Sequence, residues 1–203
     1  MKTFFLIAFF LIVMAFPLES HAEQSLLQKE DRGESVVELQ GKLISMQYLH
    51  TNTTGYYGDL TEEAVRQLQR DFNLTPDGIA GPNTLYRLQE IEKLARIVNG
   101  EARGEPYEGQ VAVAAVIKNR LLSSEFPSTI EEVIYQPNAF TAVYDGQYEL
   151  TPSSDSYKAV RDAWTGQDPS KGATYYYNPA IATSTWILTR TPKFTIGKHL
   201  FAE

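Results

Sequence analysis

The chain has 203 residues, of which 43% are hydrophobic and 21% charged, a composition typical of folded globular proteins rather than disordered ones. A net charge of −7 argues against nucleic acid or an anionic membrane surface as the main ligand. The absence of cysteine excludes disulfides, thiol catalysis and thiolate metal sites.

Residues 1–22 are predicted to be a signal peptide. Lys2 supplies a positive charge, and an uncharged apolar run of 13 residues follows, from Phe4 to Phe16. Ser20-His21-Ala22 has the small-x-small pattern that signal peptidase cleaves. Since a membrane-spanning helix needs about 20 apolar residues, we expect cleavage after Ala22, export, and no stable span in the mature chain.

Residues 25–90 predict a module of three helices. The first has apolar residues at helical spacing after Gly33, the second begins at Thr61, and a short third one contains Thr84 and Leu88. The segment resembles the peptidoglycan-binding type 1 domain through Gly33, Val36, Leu39, Gln40, Leu43, Gly55-Tyr56-Tyr57-Gly58, Thr61, Ala64, Val65, Leu68, Gln69, Phe72, Asp77-Gly78-Ile79-Ala80-Gly81 and Thr84-Leu85. Tyr48, Tyr56 and Tyr57 are candidates for stacking on sugars, with packing in the core as the equally open alternative.

Residues 92–203 predict a second, mostly helical domain. Helices are expected over Glu108–Leu122, from Thr129 to Tyr135, and over Ser153–Trp164. Short strands are expected at residues 174–177 and 185–187, around an Asn178-Pro179 turn. Residues 90–94 contain no glycine or proline, so the last helix of the first module should run close to the first helix of this domain. The predicted fold class is α+β, mostly helical, with a small antiparallel sheet.

Glu101 is the candidate catalytic residue. Leu94, Ile97 and Val98 precede it by seven, four and three residues, which places all four on one helical face. A carboxylate on an apolar face costs free energy unless it is paired or protonated, and a low dielectric favours the protonated state that a general acid needs. The alternative is a structural ion pair with one of three arginines: Arg96, Arg103 or Arg120.

Other enzyme classes fit the chain poorly. His50 and His199, the histidines left after signal cleavage, are too isolated for a zinc site or a Ser-His-Asp triad, and no phosphate-binding loop is present. The remaining pattern is carboxylates among aromatic residues, which is typical of carbohydrate sites: Glu101, Glu105, Asp145, Phe140, Tyr144, Tyr148, Tyr175, Tyr176, Tyr177 and Trp186. Strand propensity alone would also explain the tyrosine run.

Residues 94–203 resemble the SleB/CwlJ cell-wall hydrolase family. The matching stretches are Ala95-Arg96, Asn99 to Arg120, Asn138 to Val143, Asp145-Gly146-Gln147, Ala173 to Pro179, Trp186 and Ile196-Gly197-x-His199-x-Phe201. The resemblance implies a lysozyme-like fold and a lytic transglycosylase that degrades spore-cortex peptidoglycan during germination, cleaving at muramic acid δ-lactam to give 1,6-anhydro products. It places the catalytic acid at Glu101, requires no metal or cofactor, implies a location in the cell wall or spore cortex, and suggests a YpeB-type regulatory partner.

On this basis we expect the substrate to contact Glu105, Phe140, Asp145, Gln147, Tyr175, Tyr176, Tyr177 and Asn178. By analogy with other transglycosylases, Tyr176 or Tyr177, with Asn178, should orient the acid or the muramoyl group. Two alternatives stay open: a hydrolytic muramidase or glucosaminidase that uses Glu101 with Asp145 and water, and a non-enzymatic wall-binding protein. An amidase is disfavoured because the chain offers neither its metal nor its nucleophile set.

Overall fold

The computed structural model describes residues 26–203, so the predicted signal peptide lies outside the described residues. Within this range no helix combines the length and the apolar character needed to cross a membrane.

The N-terminal module is built from two helices and the first half of a third. These are α1 (Glu34–Ser45), α2 (Asp59–Asp71) and α3 (Pro82–Ala102). Two buried glutamine side chains hold the turns between them. Gln40 accepts from the backbone N–H groups of residues 54 and 55, at 2.8 and 3.0 Å, and Gln69 accepts from that of Gly78 at 2.9 Å. Since buried backbone donors need partners, these two amides fix the path of otherwise irregular loops.

Helix α3 is continuous through both halves of the chain. The sequence predicts a short third helix in the first module and a separate helix at the start of the second domain. The structure joins them into one helix of 21 residues, because no glycine or proline between Glu90 and Leu94 interrupts it. Its apolar side chains are buried along the whole length, from Leu88 to Val98, and belong to one hydrophobic core that both halves share. The N-terminal module is therefore packed directly on the C-terminal half.

The C-terminal half places α3 beside α4 (Tyr107–Leu122), α5 (Ile130–Ile134) and α6 (Ser154–Trp164). Alanines and valines bury most of α4, which makes it the central helix. Thr129 and Ser153 cap α5 and α6, each accepting from a backbone N–H three residues on, at 3.2 Å. The predicted helices are confirmed within one or two residues.

Three short strands complete the fold: β1 (Tyr175–Tyr177), β2 (Pro192–Ile196) and β3 (His199–Ala202). They form an antiparallel sheet in the order β1-β3-β2, with Tyr176 opposite Phe201. The mostly helical α+β class with a small antiparallel sheet is confirmed. The strand predicted at residues 185–187 is wrong: a 3₁₀ turn, Ile187–Thr189, begins there, and Thr189 bonds back to the Trp186 carbonyl instead of to another strand.

Candidate active site

Glu101 lies in the last turn of α3, and a close approach of two backbone segments sets its surroundings. A Cβ atom added at Gly100 would lie 2.5 Å from Cβ of Ala142, so only glycine lets α3 meet the 3₁₀ turn Thr141–Val143 this closely. This contact delivers the hydrogen-bond donors of that turn to the carboxylate.

Three donors hold the Glu101 carboxylate. Its Oε1 accepts from the Thr141 hydroxyl at 3.0 Å and from the Ala142 backbone N–H at 2.8 Å. Its Oε2 accepts from the Tyr176 hydroxyl at 3.0 Å. The side chain is only partly buried, so it is fixed in orientation and still reachable from solvent.

The ion-pair alternative for Glu101 is wrong. Each of the three candidate arginines has another partner: Arg96 pairs with Glu92 at 3.0 Å, Arg103 donates to the Asn99 carbonyl at 3.4 Å, and Arg120 donates to the Thr174 carbonyl at 2.8 Å. No cation lies within 4.0 Å of Glu101 among residues 26–203.

Tyr176 is supported from behind by the sheet. Its ring lies 5.0 Å from the His199 ring and 6.0 Å from the Phe201 ring, which in turn packs on α4. Burial, with the charge of Glu101 as a second cause, raises the pKa of the Tyr176 hydroxyl well above its usual value. The hydroxyl therefore keeps its proton and remains a donor to the carboxylate.

A cleft of about 500 Å³ opens next to Thr141, one of the residues that donate to this carboxylate. It is lined by Asn138, Phe140, Thr141, Tyr144 and Asp145. Of these, Phe140 is only 1% exposed, whereas Tyr144 is 65% exposed and offers a ring to a ligand. Tyr144 is not among the predicted substrate contacts, although it lies in the same aromatic-rich segment.

Asp145 is exposed at the cleft and forms a pair with Gln147. Its carboxylate accepts from the Gln147 side-chain amide at 2.6 Å and from the Gln147 backbone N–H at 3.0 Å. The first of these bonds is the main reason that the pKa of Asp145 is lowered. Asp145 is therefore ionised at neutral pH and suits an electrostatic or basic role better than that of a proton donor.

Glu105 anchors the β2–β3 hairpin. Its Oε2 accepts from the Lys198 backbone N–H at 2.8 Å, next to Gly197, which adopts a left-handed φ of 58°. Glu105 is not among the side chains that line the cleft, so its direct contact with substrate stays a prediction. Among residues 26–203 no group of three or more His, Asp or Glu side chains is arranged to hold a metal ion.

The tyrosine run is divided by the alternation of the strand. Tyr176 faces Glu101, whereas Tyr175 and Tyr177 point to the opposite side. Tyr175 packs instead against Trp186, at 5.3 Å between ring centroids, and Asn178 uses its side-chain oxygen to cap a turn by accepting from the Ala180 N–H. Of the predicted orienting residues, only Tyr176 contacts the acid.

Comparison with known proteins matches both halves of the chain. The peptidoglycan binding domain family matches residues 32–88, and the Cell Wall Hydrolase family matches residues 104–202. The spore cortex-lytic enzyme of Bacillus cereus is 39% identical in an alignment 223 positions long, which covers 88% of this chain and 86% of that protein. The chain belongs to the spore cortex-lytic enzyme family.

Two solved SleB catalytic domains match 56% of this chain in structure. That of the germination-specific lytic transglycosylase SleB from Bacillus anthracis is 56% identical, with a TM-score of 0.54, and covers 56% of this chain and 93% of that one. That of Bacillus cereus SleB is also 56% identical, with a TM-score of 0.53 over 56% of this chain and 89% of that one. These comparisons confirm the resemblance to SleB.

The tyrosines predicted to bind sugar in the N-terminal module each contact another group of the protein; for Tyr48 and Tyr56, sugar binding stays a prediction. Tyr57 is fully buried and donates to the Gly78 carbonyl at 2.7 Å, so the prediction that its ring stacks on a sugar is wrong. The Arg32 guanidinium covers one face of Tyr56 at 4.1 Å. Tyr48 bonds to Asp71 at 2.9 Å, and the Arg161 guanidinium of α6 lies 5.5 Å from its ring, so it joins the two halves of the chain.

Proposed function

We propose that this protein is a lytic transglycosylase that degrades spore-cortex peptidoglycan, with Glu101 as its single proton shuttle. The observation that carries this proposal is the Glu101 carboxylate, which has three hydrogen-bond donors and no cationic partner within 4.0 Å among residues 26–203. One of these donors, Thr141, also lines an open cleft. Membership of the spore cortex-lytic enzyme family supports the choice of substrate, and the Bacillus anthracis relative described as a lytic transglycosylase supports the choice of reaction.

The hydrogen bonds indicate which oxygen exchanges the proton. A carboxylate has about four acceptor positions, two on each oxygen. Thr141 and Ala142 occupy both positions on Oε1, while Tyr176 occupies one on Oε2. Oε2 therefore retains the position that carries the catalytic proton.

The reaction then needs no second carboxylate. Protonated Glu101 gives its proton to the glycosidic oxygen as the bond from that oxygen to the anomeric carbon breaks. The resulting carboxylate accepts the proton of the C6 hydroxyl on the same muramoyl residue, and that C6 oxygen bonds to the anomeric carbon. The product has a 1,6-anhydro ring, Glu101 is again protonated, and no water is consumed.

The competing function is a hydrolytic muramidase or glucosaminidase that uses Asp145 as the second carboxylate. It is favoured by one observation: Asp145 is ionised and lines the same cleft as Thr141, a ligand of Glu101. Such an enzyme needs its two carboxylates about 5–5.5 Å apart for retention or about 6.5–9.5 Å apart for inversion.

Digestion of purified cortex fragments in ¹⁸O-labelled water separates the two functions. Mass spectrometry should find anhydro ends, lighter than reducing ends by one water and free of ¹⁸O. Reducing ends that each carry one ¹⁸O would refute the transglycosylase and favour the hydrolase. Asp145→Asn should leave the rate within about tenfold of wild type under our proposal, whereas loss of a catalytic base would cost about 10²–10⁴-fold.

The remaining expectations concern substrate and location. We propose that the muramic acid δ-lactam directs cleavage. The enzyme should then release fragments faster from cortex than from vegetative cell wall, which lacks the δ-lactam. Export after cleavage at Ala22 predicts a mature N-terminus at Glu23, which N-terminal sequencing will test.

A purely adhesive wall protein would sediment with peptidoglycan without releasing fragments. Regulation by a YpeB-type partner stays a prediction, tested by co-purification from dormant spores.

A further inference from the structure

A cationic and aromatic patch lies on the side of β1 opposite to Glu101 and takes no part in the mechanism above. It consists of Tyr175, Trp186 and Arg190. The Trp186 ring is 52% exposed and meets Tyr175 edge to face, with centroids 5.3 Å apart. The Arg190 guanidinium lies 4.6 Å from the centre of the Trp186 ring and 5.8 Å from that of Tyr175. We call this set the Trp186–Arg190 patch.

Arg190 has a charge without a countercharge. Among residues 26–203 no carboxylate lies within 4.0 Å of it. Its Nε is buried and has no acceptor, and its one hydrogen bond is a long one, 3.4 Å, to the Thr189 hydroxyl. Because a guanidinium presents five donors in a planar fork that matches a carboxylate, this side chain is prepared to receive an anion.

The patch is connected to the catalytic acid through two pairs of consecutive residues. Phe140 and Tyr175 both pack on the Arg120 guanidinium, at 5.1 and 5.7 Å, so their rings lie within about 11 Å of each other. The next residues along the chain, Thr141 and Tyr176, both bond to Glu101. Tyr175 of the patch and Phe140 of the cleft are thus the sequence neighbours of two residues that hold Glu101, and Trp186 and Arg190 pack on Tyr175 from the 3₁₀ turn that follows.

We propose that the Trp186–Arg190 patch is a subsite for a muramoyl unit that carries an acidic peptide stem, with Trp186 stacking on the sugar and Arg190 pairing with a stem carboxylate. This inference rests on the proposed peptidoglycan substrate, and it adds how a stem-bearing unit of the same glycan is bound outside the catalytic cleft. An aromatic ring beside a cation suits this ligand, since a sugar presents an apolar ring face and the peptide supplies the negative charge. The protein as a whole is acidic, so a local cation is needed to hold such a stem.

Binding to the inactive full-length Glu101→Gln protein tests the subsite without any dependence on the reaction type. The probe is a purified disaccharide–tetrapeptide muropeptide, compared with the same molecule after its carboxylates are converted to amides. When Arg190→Gln is added to the Glu101→Gln protein, Kd for the native muropeptide should rise about tenfold, because the hydrogen bonds between the guanidinium and the stem carboxylate are lost. Kd for the amidated muropeptide should change by less than about twofold. Lys193→Gln is the matched control, since it removes a nearby surface cation that pairs with Glu203; it should leave both affinities within about twofold.

Equal weakening of both muropeptides by Arg190→Gln would overturn the proposal, because it would mean that Arg190 only supports the loop. If Arg190→Gln does not fold, the protein with Arg190 intact still tests the subsite. The Glu101→Gln protein should bind the native muropeptide about tenfold more tightly than the amidated one, and equal affinities would refute the subsite. Either failure would leave the product analysis of the proposed reaction unaffected.

Discussion

Replacing Tyr176 by phenylalanine should lower kcat/KM by about 10- to 150-fold. The change removes only the hydroxyl that donates to Oε2 of Glu101 at 3.0 Å, while the ring keeps its contacts with His199 and Phe201. Negative charge develops on Glu101 as it gives up its proton, so this donor acts more strongly in the transition state than in the ground state. A hydrogen bond to a charged group contributes about 1.5–3 kcal/mol, and about 1.4 kcal/mol corresponds to one factor of ten.

The assay is the initial rate of fragment release from purified cortex, with unfolding curves to verify that each variant is folded. Tyr177→Phe is the matched control because it removes the same atom from the next residue, which points to the opposite side of β1. It should retain at least half of the wild-type rate. A Tyr176→Phe enzyme within threefold of wild type, or equal losses in both variants, would refute the assignment of Tyr176 as the orienting donor.

Three further predictions address the surroundings of the acid. Thr141→Val should reduce the rate about fivefold, less than Tyr176→Phe, because the Ala142 N–H still holds Oε1; a loss as large as that of Tyr176→Phe would contradict this. Gly100→Ala should lower the free energy of unfolding in urea by about 1–3 kcal/mol through the clash with Ala142, whereas Gly104→Ala, with open space around it, should be nearly neutral. Burial lowers the pKa of the His199 imidazole below its ordinary value of 6.5 in the folded protein. As the pH falls through 6.5, the unfolded chain therefore takes up a proton before the folded protein does, and the free energy of unfolding decreases. His199→Gln should therefore weaken the acid dependence of the unfolding free energy, and an unchanged slope between about pH 7 and 5 would argue against it.

Helical spacing made Glu101 a candidate, and the resemblance to the cell-wall hydrolase family favoured it over the ion-pair alternative. Leu94, Ile97 and Val98 are buried on one face of α3, and they precede Glu101 by seven, four and three residues. The helical repeat therefore places Glu101 on the same face. The same reasoning could not identify its ligands. Thr141 and Ala142 reach Glu101 through a contact between segments about forty residues apart, which depends on the missing side chain of Gly100.

Strand register explains most of what the sequence left undecided. Tyr176 and Tyr177 are chemically identical candidates, and only their pairing with β3 decides which of them faces the acid. Trp186 lies in a segment with strand-like composition, yet no partner strand is available there, so the backbone turns back on itself. The orientation of the Tyr57 ring was undecided for a related reason, since an aromatic residue in a turn beside glycine can face either solvent or the core. In the structure the ring is buried in the core.

Comparison of Glu101→Gln with Glu105→Gln tests the central claim most directly. Both changes exchange one carboxylate oxygen for an amide at nearly constant size, and the two residues are one helical turn apart in sequence. We predict that Glu101→Gln reduces fragment release from purified cortex by about 10²–10⁴-fold, since the proton shuttle is lost. Glu105→Gln, which retains an acceptor for the Lys198 N–H, should stay within about tenfold of wild type. A folded Glu101→Gln protein with more than a tenth of wild-type activity would remove Glu101 from the mechanism.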